Sequence, residues 1–286
     1  MNVVSYFDGM SCGQIALDKL GIKVDNYFAY EIDKYAIKIA KKNYPKTKHK
    51  GSVTDVDFSV YKDKRVDLLL GGSPCQGFSK AGKQLNFADP RSKLFFDFVK
   101  AKELLNPKYF LLENVSMKKE YRDTISRYMG VEPIMINSSL VSAQNRKRYY
   151  WTNIPNVRQP RDRGIVLADI VGNLVTIRYN KPIVLKNIYP KRGQNGNIYS
   201  IEGKSKTLSA GVGIKGRGIG SSNSPKVIFN NKKGYRMLTT NECERLQTVP
   251  DGYTEGVSNT QRYKMLGNGW TVDVIAHIFK NIKIYE

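Results

Sequence analysis

Short apolar strands alternate with helical segments along the first half of the chain, and this order restricts the fold more than any other sequence feature. Strands are predicted at Asn2–Phe7, Tyr27–Glu31, Val66–Leu70 and Tyr109–Leu112, with two more near Ile134–Asn137 and Arg148–Thr152. Helices are predicted from about Gln14 to Leu20, from the cap Asp33 to about Lys42, and over Leu94–Leu105. Strands separated by helices favour parallel pairing with helices on the sheet faces. The expected fold class is α/β, with one open sheet.

A different composition begins near residue 158. Residues 158–233 are rich in glycine and carry 15 Lys and Arg against 3 acidic residues, which leaves +12 of the net charge of +22. Short strands are predicted there at Ile183–Leu185, Ile198–Ile201 and Val227–Phe229, and they argue against the alternative of a disordered basic linker. Helical patterns return afterwards, with Thr239 capping Thr240–Gln247 and a second helix over Val272–Ile282. We therefore expect a large domain from 1–157 and 234–286 and a smaller, mainly β and irregular domain at 158–233.

The excess of basic residues predicts a polyanionic partner. The chain has 47 Lys and Arg against 25 Asp and Glu, and lysines that neutralise phosphates gain free energy by releasing counterions. A generic basic protein is the alternative that charge alone leaves open. Three scattered cysteines and two histidines favour neither a disulfide framework nor a metal site. No leader or membrane-spanning run is recognised, so a bacterial or phage-infected cytoplasm is expected.

One cysteine lies where open α/β sheets bind ligands. Cys75 follows a predicted strand within Gly71-Gly72-Ser73-Pro74-Cys75-Gln76-Gly77, and the carboxyl ends of parallel strands line such sites. Glu113 ends the next strand, and a carboxyl in that apolar setting can be held protonated as a hydrogen-bond donor. Arg146 and Arg148 alternate along a later strand, so both side chains are expected to point the same way. Thiol, acid and two guanidiniums together predict a catalytic site, although each alone is also compatible with a structural or solvated role.

The turn after the first strand is predicted to bind a nucleotide cofactor. It spans Phe7–Gly13, and Glu31 at the end of the second strand is placed to accept hydrogen bonds from a ribose diol. The turn lacks the GxGxxG pattern of dinucleotide sites. These residues alone therefore do not distinguish NAD from S-adenosylmethionine.

Taken in order, the motifs resemble those of the DNA (cytosine-5) methyltransferase family over nearly the whole chain. They are FDGMSCG, the acid Glu31, GGSPCQGFS, DPRSKLFFDF, LLENV, QNRKRYYW, RMLTTNECERLQTVPDGY and YKMLGNGWTVDVIAHIF. The likeness is to compact bacterial or phage enzymes, with some motifs similar to the eukaryotic de novo branch. It implies a Rossmann-like S-adenosylmethionine-dependent methyltransferase sheet with a smaller target-recognition domain. It also implies S-adenosylmethionine as cofactor, S-adenosylhomocysteine as product and double-stranded DNA as partner.

The resemblance also implies a covalent mechanism. Cys75 would attack carbon 6 of a cytosine flipped out of the duplex, which activates carbon 5 for methylation. Glu113 would hydrogen-bond ring nitrogen 3 and the exocyclic amine. Arg148, together with Arg146, would contact the base carbonyl and favour the thiolate. The loop after Cys75 would close over the flipped base.

Further site residues are carried over from the family motifs. Cofactor contacts are expected from Phe7, Asp8, Gly9, Met10, Ser11, Cys12, Glu31, Ile32, Ser52, Val53, Pro74, Leu94, Asn268, Gly269 and Trp270. DNA contacts are expected from Gln76, Ser79, Lys80, Lys83, Arg91, Glu202, Lys204 and Thr207. Ser52 stands where the family has an aspartate that contacts adenine, so either Ser52 or Asp55 is expected to supply that contact.

Three other functions are weighed against DNA methylation. The same chemistry on transfer RNA occurs in one branch of the family, but the sizeable recognition domain favours DNA. A DNA-binding protein without catalysis is disfavoured because every proposed catalytic residue is present. An NAD-dependent oxidoreductase leaves Cys75 unexplained. The sequence does not predict the DNA target or a paired restriction enzyme; a monomer is expected.

Overall fold

The computed structural model describes residues 1–73, 90–210, 225–228 and 234–283. The chain forms two compact units. The first consists of Met1–Ile136, Lys147–Gln159 and Ala276–Glu286, and the second of Asn137–Arg146 and Pro160–Ile275. The second unit thus includes 234–275, which the sequence assigned to the large domain. No helix among the described residues is both long and apolar enough to cross a membrane.

The first unit is built on a seven-stranded sheet. Its strands are β1 (Asn2–Tyr6), β2 (Asn26–Tyr30), β3 (Lys48–Gly51), β4 (Leu68–Gly71), β5 (Tyr109–Val115), β6 (Ile134–Asn137) and β7 (Lys147–Thr152). The strand order is β3-β2-β1-β4-β5-β7-β6, with β7 antiparallel to β5 and parallel pairing from β3 through β5. Helices α1 (Cys12–Lys19), α2 (Lys34–Asn43), α3 (Pro90–Leu105) and α4 (Lys119–Met129) complete the unit. The predicted α/β sheet is confirmed.

Close packing of α3 against β4 explains a glycine at the end of the strand. Phe95 and Phe98 of α3 are fully buried in a core cluster that includes residues from β1, β2, β4 and β5. A Cβ atom on Gly71 would lie 2.5 Å from Cδ2 of Phe98, which is closer than carbon atoms can pack. Only glycine therefore lets α3 pack this tightly beside the last residue of β4.

The predicted caps of two helices are confirmed. The Asp33 carboxylate accepts hydrogen bonds from the backbone amides of Tyr35 (2.9 Å) and Ala36 (3.4 Å) at the start of α2. In the second unit, Thr239 and Glu242 form a capping box at the start of α6 (Thr240–Leu246). Such caps supply acceptors to amides that lack partners inside the helix.

The second unit contains a smaller sheet. Its strands are β8 (Val184–Asn187), β9 (Asn197–Tyr199), β10 (Lys226–Ile228) and β11 (Tyr235–Met237), in the order β11-β10-β9-β8. Helices α5 (Leu167–Val171) and α7 (Asn259–Asn268) also belong to this unit, and α8 (Val272–Phe279) begins in it and continues into the first unit from Ala276. The three strands predicted between 158 and 233 are present with shifted ends, so the described part of this segment is ordered rather than a linker.

Candidate active site

Glu113 and Arg148 form an ion pair on neighbouring strands. Strand β5 continues past the predicted end at Leu112 to Val115, so Glu113 lies within the strand, opposite Tyr150 of β7. The Glu113 side chain is nearly buried, and its Oε1 lies 2.8 Å from Nε of Arg148. The Nη1 of Arg148 also donates to the carbonyl of Lys147 at 2.8 Å. The acid and one of the two predicted guanidiniums are therefore held together.

Asn114, to which the sequence analysis assigned no role, holds the start of the cysteine loop. Its side-chain amide lies 3.2 Å from Oγ of Ser73 and 3.5 Å from the Ser73 carbonyl, and both residues are buried. Ser73 precedes the loop that carries Cys75, and β4 and β5 pair in parallel up to Gly71 and Leu112. The sequence signal was the asparagine directly after the candidate acid. Pro74 and Cys75 themselves lie outside the described residues.

Arg146 does not share the environment of Arg148. Strand β7 begins at Lys147, so Arg146 precedes the strand and the predicted alternation does not apply. Its buried guanidinium donates to the carbonyl oxygens of Leu208 (2.9 Å), Gly267 (3.2 Å) and Gly269 (3.0 Å). The expectation that both arginines point the same way is wrong. Arg146 joins three backbone segments of the second unit.

The predicted cofactor turn has an unusual backbone that Glu31 stabilises. Phe7, Gly9 and Ser11 all have positive φ angles, of 56°, 58° and 65°. Glu31 Oε2 accepts from the Gly9 amide at 2.8 Å, and Oε1 accepts from the amides of Ile32 and Asp33, each at 2.7 Å. A carboxylate has about four acceptor positions. Three amides therefore leave room for about one further hydroxyl donor.

Asp8 is a titratable group within this turn. Its carboxylate accepts from the hydroxyls of Tyr27, at 2.7 Å, and Ser11. Burial, with a smaller contribution from the Glu31 carboxylate, raises the pKa of Asp8 to about 6, against the opposing effect of its hydroxyl partners. Asp8 therefore carries a proton over a wider pH range than an exposed aspartate does.

The other residues predicted to contact the cofactor differ in exposure. Ile32 is 78% exposed, whereas Met10, Ser11, Cys12 and Val53 are buried. Phe7 and Leu94 are half-buried and pack against the core. Ser52 Oγ lies 2.8 Å from Oγ1 of Thr54, and the Asp55 side chain is exposed. The choice between Ser52 and Asp55 remains a prediction.

Comparison with known proteins identifies the family. The family of C-5 cytosine-specific DNA methylases matches residues 1–161 and 143–284. The chain belongs to this family. It is 31% identical over 284 residues to the type II methyltransferase M1.ScrFI of Lactococcus lactis subsp. cremoris, covering 88% of this chain and 70% of the relative. It is 29% identical to the type II methyltransferase M.HhaI of Haemophilus parahaemolyticus, covering 99% and 94%.

Solved structures agree in fold. The methyltransferase EhMeth of Entamoeba histolytica aligns with a TM-score of 0.75 at 18% identity, over 99% of both chains. The DNMT2 of Spodoptera frugiperda aligns with a TM-score of 0.71 at 19% identity, over 98% of this chain and 99% of the other. Membership of the C-5 cytosine-specific DNA methylase family, and not these structures, makes the chain an S-adenosylmethionine-dependent methyltransferase acting on carbon 5 of cytosine in DNA, and base flipping with a cysteine adduct is the mechanism of that family. The predicted family, fold and cofactor are confirmed.

The structure of this methyltransferase contradicts one predicted base contact. Lys204 is 1% exposed, and its ammonium donates to the carbonyls of Ser139 (2.8 Å), Ser142 (3.3 Å) and Ile165. Burial lowers the pKa of Lys204. Because three carbonyls match the three protons of an ammonium group, Lys204 is a structural residue. The prediction that it reads DNA bases is wrong.

The remaining predicted DNA contacts are not tested by the structure. Thr207 is half-buried, with its hydroxyl donating to the carbonyl of Asn145 at 2.6 Å, and Glu202 is also half-buried. Arg91 lies in the first turn of α3, but its side chain is outside the described part of the chain. Four predicted contacts belong to segments that the structure does not describe: Gln76, Ser79, Lys80 and Lys83. These assignments remain predictions.

A buried polar network in the second unit was missed by the sequence analysis. The Gln247 amide donates to the carbonyls of Leu266 (2.6 Å) and Gly269 (3.1 Å), while its Oε1 accepts from Thr271 at 2.8 Å. Gly269 also accepts from Arg146, so the predicted Asn268-Gly269-Trp270 turn is held by two buried side chains. Asn268 is exposed and Trp270 half-buried. Within the described residues, no cluster of three His, Cys, Asp or Glu side chains could hold a metal ion.

Proposed function

We propose that this chain methylates cytosine within a specific sequence of duplex DNA, with Cys75 as the nucleophile. The ion pair between Glu113 and Arg148 carries this proposal. It lies on the strand next to the one that leads into the cysteine loop, and Asn114 ties that loop's first described residue to the same strand. An acid and a guanidinium at this position suit a pyrimidine, which offers a ring nitrogen, an amine and a carbonyl.

The protein groups divide the reaction between them. The Cys75 thiolate forms a bond to carbon 6 as the double bond between carbons 5 and 6 opens. Glu113, in its protonated form, donates a hydrogen bond to nitrogen 3 and accepts one from the amine, which stabilises the negative charge that develops in the ring. Arg148 turns from its carboxylate partner toward the base carbonyl and stabilises the same charge. After carbon 5 gains its methyl group, the proton at that carbon leaves to a base, the sulfur–carbon bond breaks and the aromatic ring is restored.

The described residues fit an adenosine-containing cofactor. The remaining acceptor position of Glu31 would take a ribose hydroxyl, and Phe7 and the exposed Ile32 would cover the flat adenine ring. S-adenosylmethionine supplies an electrophilic methyl group when bound.

The basic second unit is proposed to select the DNA sequence. Thr207 would contact the backbone near the target and Glu202 a base edge, while the loop after Cys75 closes on the flipped nucleotide. Lys204 and Arg146 contribute by fixing the backbone that presents these groups.

A covalent trap tests the proposal. A library of duplexes containing 5-fluorocytosine is incubated with the protein and S-adenosylmethionine, and adducts are separated under denaturing conditions and sequenced. Fluorine at carbon 5 blocks the final elimination, so the wild-type chain should retain DNA and the retained sequences should reveal the target. Cys75→Ser should retain none, whereas Cys243→Ser, at a buried cysteine of the second unit, should behave as the wild type. Adducts on RNA alone would contradict the DNA assignment, and no adduct on either would favour a binding protein without catalysis.

A further inference from the structure

The strongest concentration of unbalanced charge lies outside the predicted recognition domain. Residues 34–50 contain seven lysines in 17 positions, and no acidic residue occurs between Asp33 and Asp55. By comparison, the segment 158–233 spreads a net +12 over 76 positions. The lysines of helix α2, of the edge strand β3 and of the connection between them are all exposed, namely Lys34, Lys38, Lys41, Lys42, Lys46, Lys48 and Lys50. We call this set the basic edge.

Four of these lysines form a stripe on α2. Lys34, Lys38 and Lys42 are spaced four residues apart and Lys41 lies beside them, while Ala36, Ile39 and Ala40 face the core. Like charges four residues apart destabilise a helix, and a lysine in the first turn opposes the helix dipole. Lys41 and Lys42 lie in the last turn, where the helix dipole favours cations, whereas Lys34 and Lys38 have no such benefit and the sequence places no acid among the four.

The lysines of β3 continue the basic edge around the end of the sheet. The ammonium groups of Lys48 and Lys50 lie 5.1 and 5.9 Å from the ring centroid of Phe28. His49 points to the other face, where burial and the nearby charge of Lys41 lower the pKa of His49. Lysines on an edge strand also discourage strand pairing between molecules, and this would explain the lysines of β3. It does not explain the stripe on α2.

We propose that the basic edge binds the phosphate backbone of duplex DNA outside the target sequence. This inference rests on DNA being the substrate of the chain. From Lys34 to Lys42 the helix extends about 12 Å, and duplex DNA carries one phosphate charge per about 1.7 Å of its axis. The stripe therefore matches the charge density of a duplex rather than that of a single anionic group. Such contacts increase nonspecific binding and support sliding toward a target.

The test measures binding to DNA that cannot be methylated. A duplex of about 40 A·T pairs contains no cytosine, so binding reports backbone contacts alone, and the affinity is measured from about 50 to about 200 mM salt. The test variant replaces Lys34, Lys38, Lys41 and Lys42 with glutamine, which has a similar helix propensity. The control variant removes the same charge from exposed lysines elsewhere in the first unit, by Lys62→Gln, Lys64→Gln, Lys100→Gln and Lys280→Gln.

Each lysine that no longer neutralises a phosphate should reduce the slope of log affinity against log salt by about 0.9. Removal of all four ammonium groups would reduce this slope by about 3.6. Over this salt range the affinity of the wild type for the duplex should therefore fall roughly 100-fold more than that of the test variant. The control variant should retain most of the wild-type slope.

Equal slopes for all three proteins, or equal reductions in both variants, would overturn the proposal. Unchanged duplex binding with loss of binding to anionic lipid vesicles would also overturn it. Because the duplex has no cytosine, none of these outcomes bears on the adduct test of Cys75.

Discussion

Two arginines only two residues apart show how differently the two units use charge. Arg148 pairs with the carboxylate of Glu113 on the large sheet, whereas Arg146 donates to three backbone carbonyls in the second unit. A carboxylate partner can be exchanged for a substrate carbonyl, because both groups carry or develop negative charge. A guanidinium that donates to three buried carbonyls satisfies those carbonyls and so stabilises the folded chain. The two arginines therefore differ in their acceptors and not in residue type, and the proposed catalytic role belongs to Arg148.

The same contrast extends to the surroundings of each arginine. In the first unit Glu113 and Arg148 are paired on β5 and β7, and the turn after β1 adds the carboxylates of Asp8 and Glu31. In the second unit, Gln247 and Lys204 bind main-chain carbonyls of distant segments. The first region is the one proposed to bind ligands, and the second uses its polar side chains to fix loops that contain few regular elements. Substitutions in each region should therefore have different effects on catalysis and on stability.

The largest effect is expected on the catalytic side, from Glu113→Gln. The amide keeps the size of the side chain but removes the acid that serves nitrogen 3, so the rate of methyl transfer should fall by about 10²- to 10⁴-fold. Single-turnover transfer of a labelled methyl group measures this, with Glu120→Gln on the exposed face of α4 as the control. A near-normal rate would remove Glu113 from the mechanism.

A paired substitution of the two arginines tests the comparison directly. Arg146→Met removes the guanidinium from the carbonyls of Leu208 and Gly267, while Gly269 keeps its bond from Gln247, so the free energy of unfolding should fall by about 3 kcal/mol. Arg148→Met should reduce stability less and the rate of methyl transfer much more. Urea denaturation and single-turnover kinetics on both variants separate the two effects. Equal stability losses, or a fully stable Arg146→Met, would show that the two arginines do not differ in role.

The sequence predicted what depends on local pattern and chain order. The alternation of strands and helices predicted the sheet, the Asp33 cap of α2 was recognised from its position, and Glu113 was correctly expected on a strand parallel to the one before Cys75. Lys204 was misjudged because a lysine in a basic, glycine-rich segment is normally exposed. Its burial depends on carbonyls at 139, 142 and 165, and no local pattern encodes their convergence. The prediction for Arg146 was wrong because the strand begins one residue later than the alternation required.

Lys204→Met tests the structural half of the comparison within the second unit. Methionine fills similar space but donates no hydrogen bonds, so stability should fall by about 2 kcal/mol. The set of DNA sequences captured in the 5-fluorocytosine trap should stay the same. Lys186→Met, at an exposed position on β8, should change stability by less than about 0.5 kcal/mol. A changed target sequence with unchanged stability would indicate that Lys204 does take part in base recognition.

A pH-dependent effect is expected at Asp8, which distinguishes a ligand-facing carboxylate from one held only for structure. Its folded pKa of about 6 lies above the ordinary value of 3.8, so the stability it contributes is present below about pH 4 and is lost as the pH rises through 6. Relative to Asp8→Asn, the wild type should therefore lose up to about 3 kcal/mol of unfolding free energy between about pH 4 and pH 7. Urea denaturation of both proteins across this range measures the difference. A pH-independent difference would mean that the carboxylate is already ionised in the folded chain at pH 4. The hydroxyls of Tyr27 and Ser11 would then outweigh burial, and the turn would resemble the internally satisfied network of the second unit.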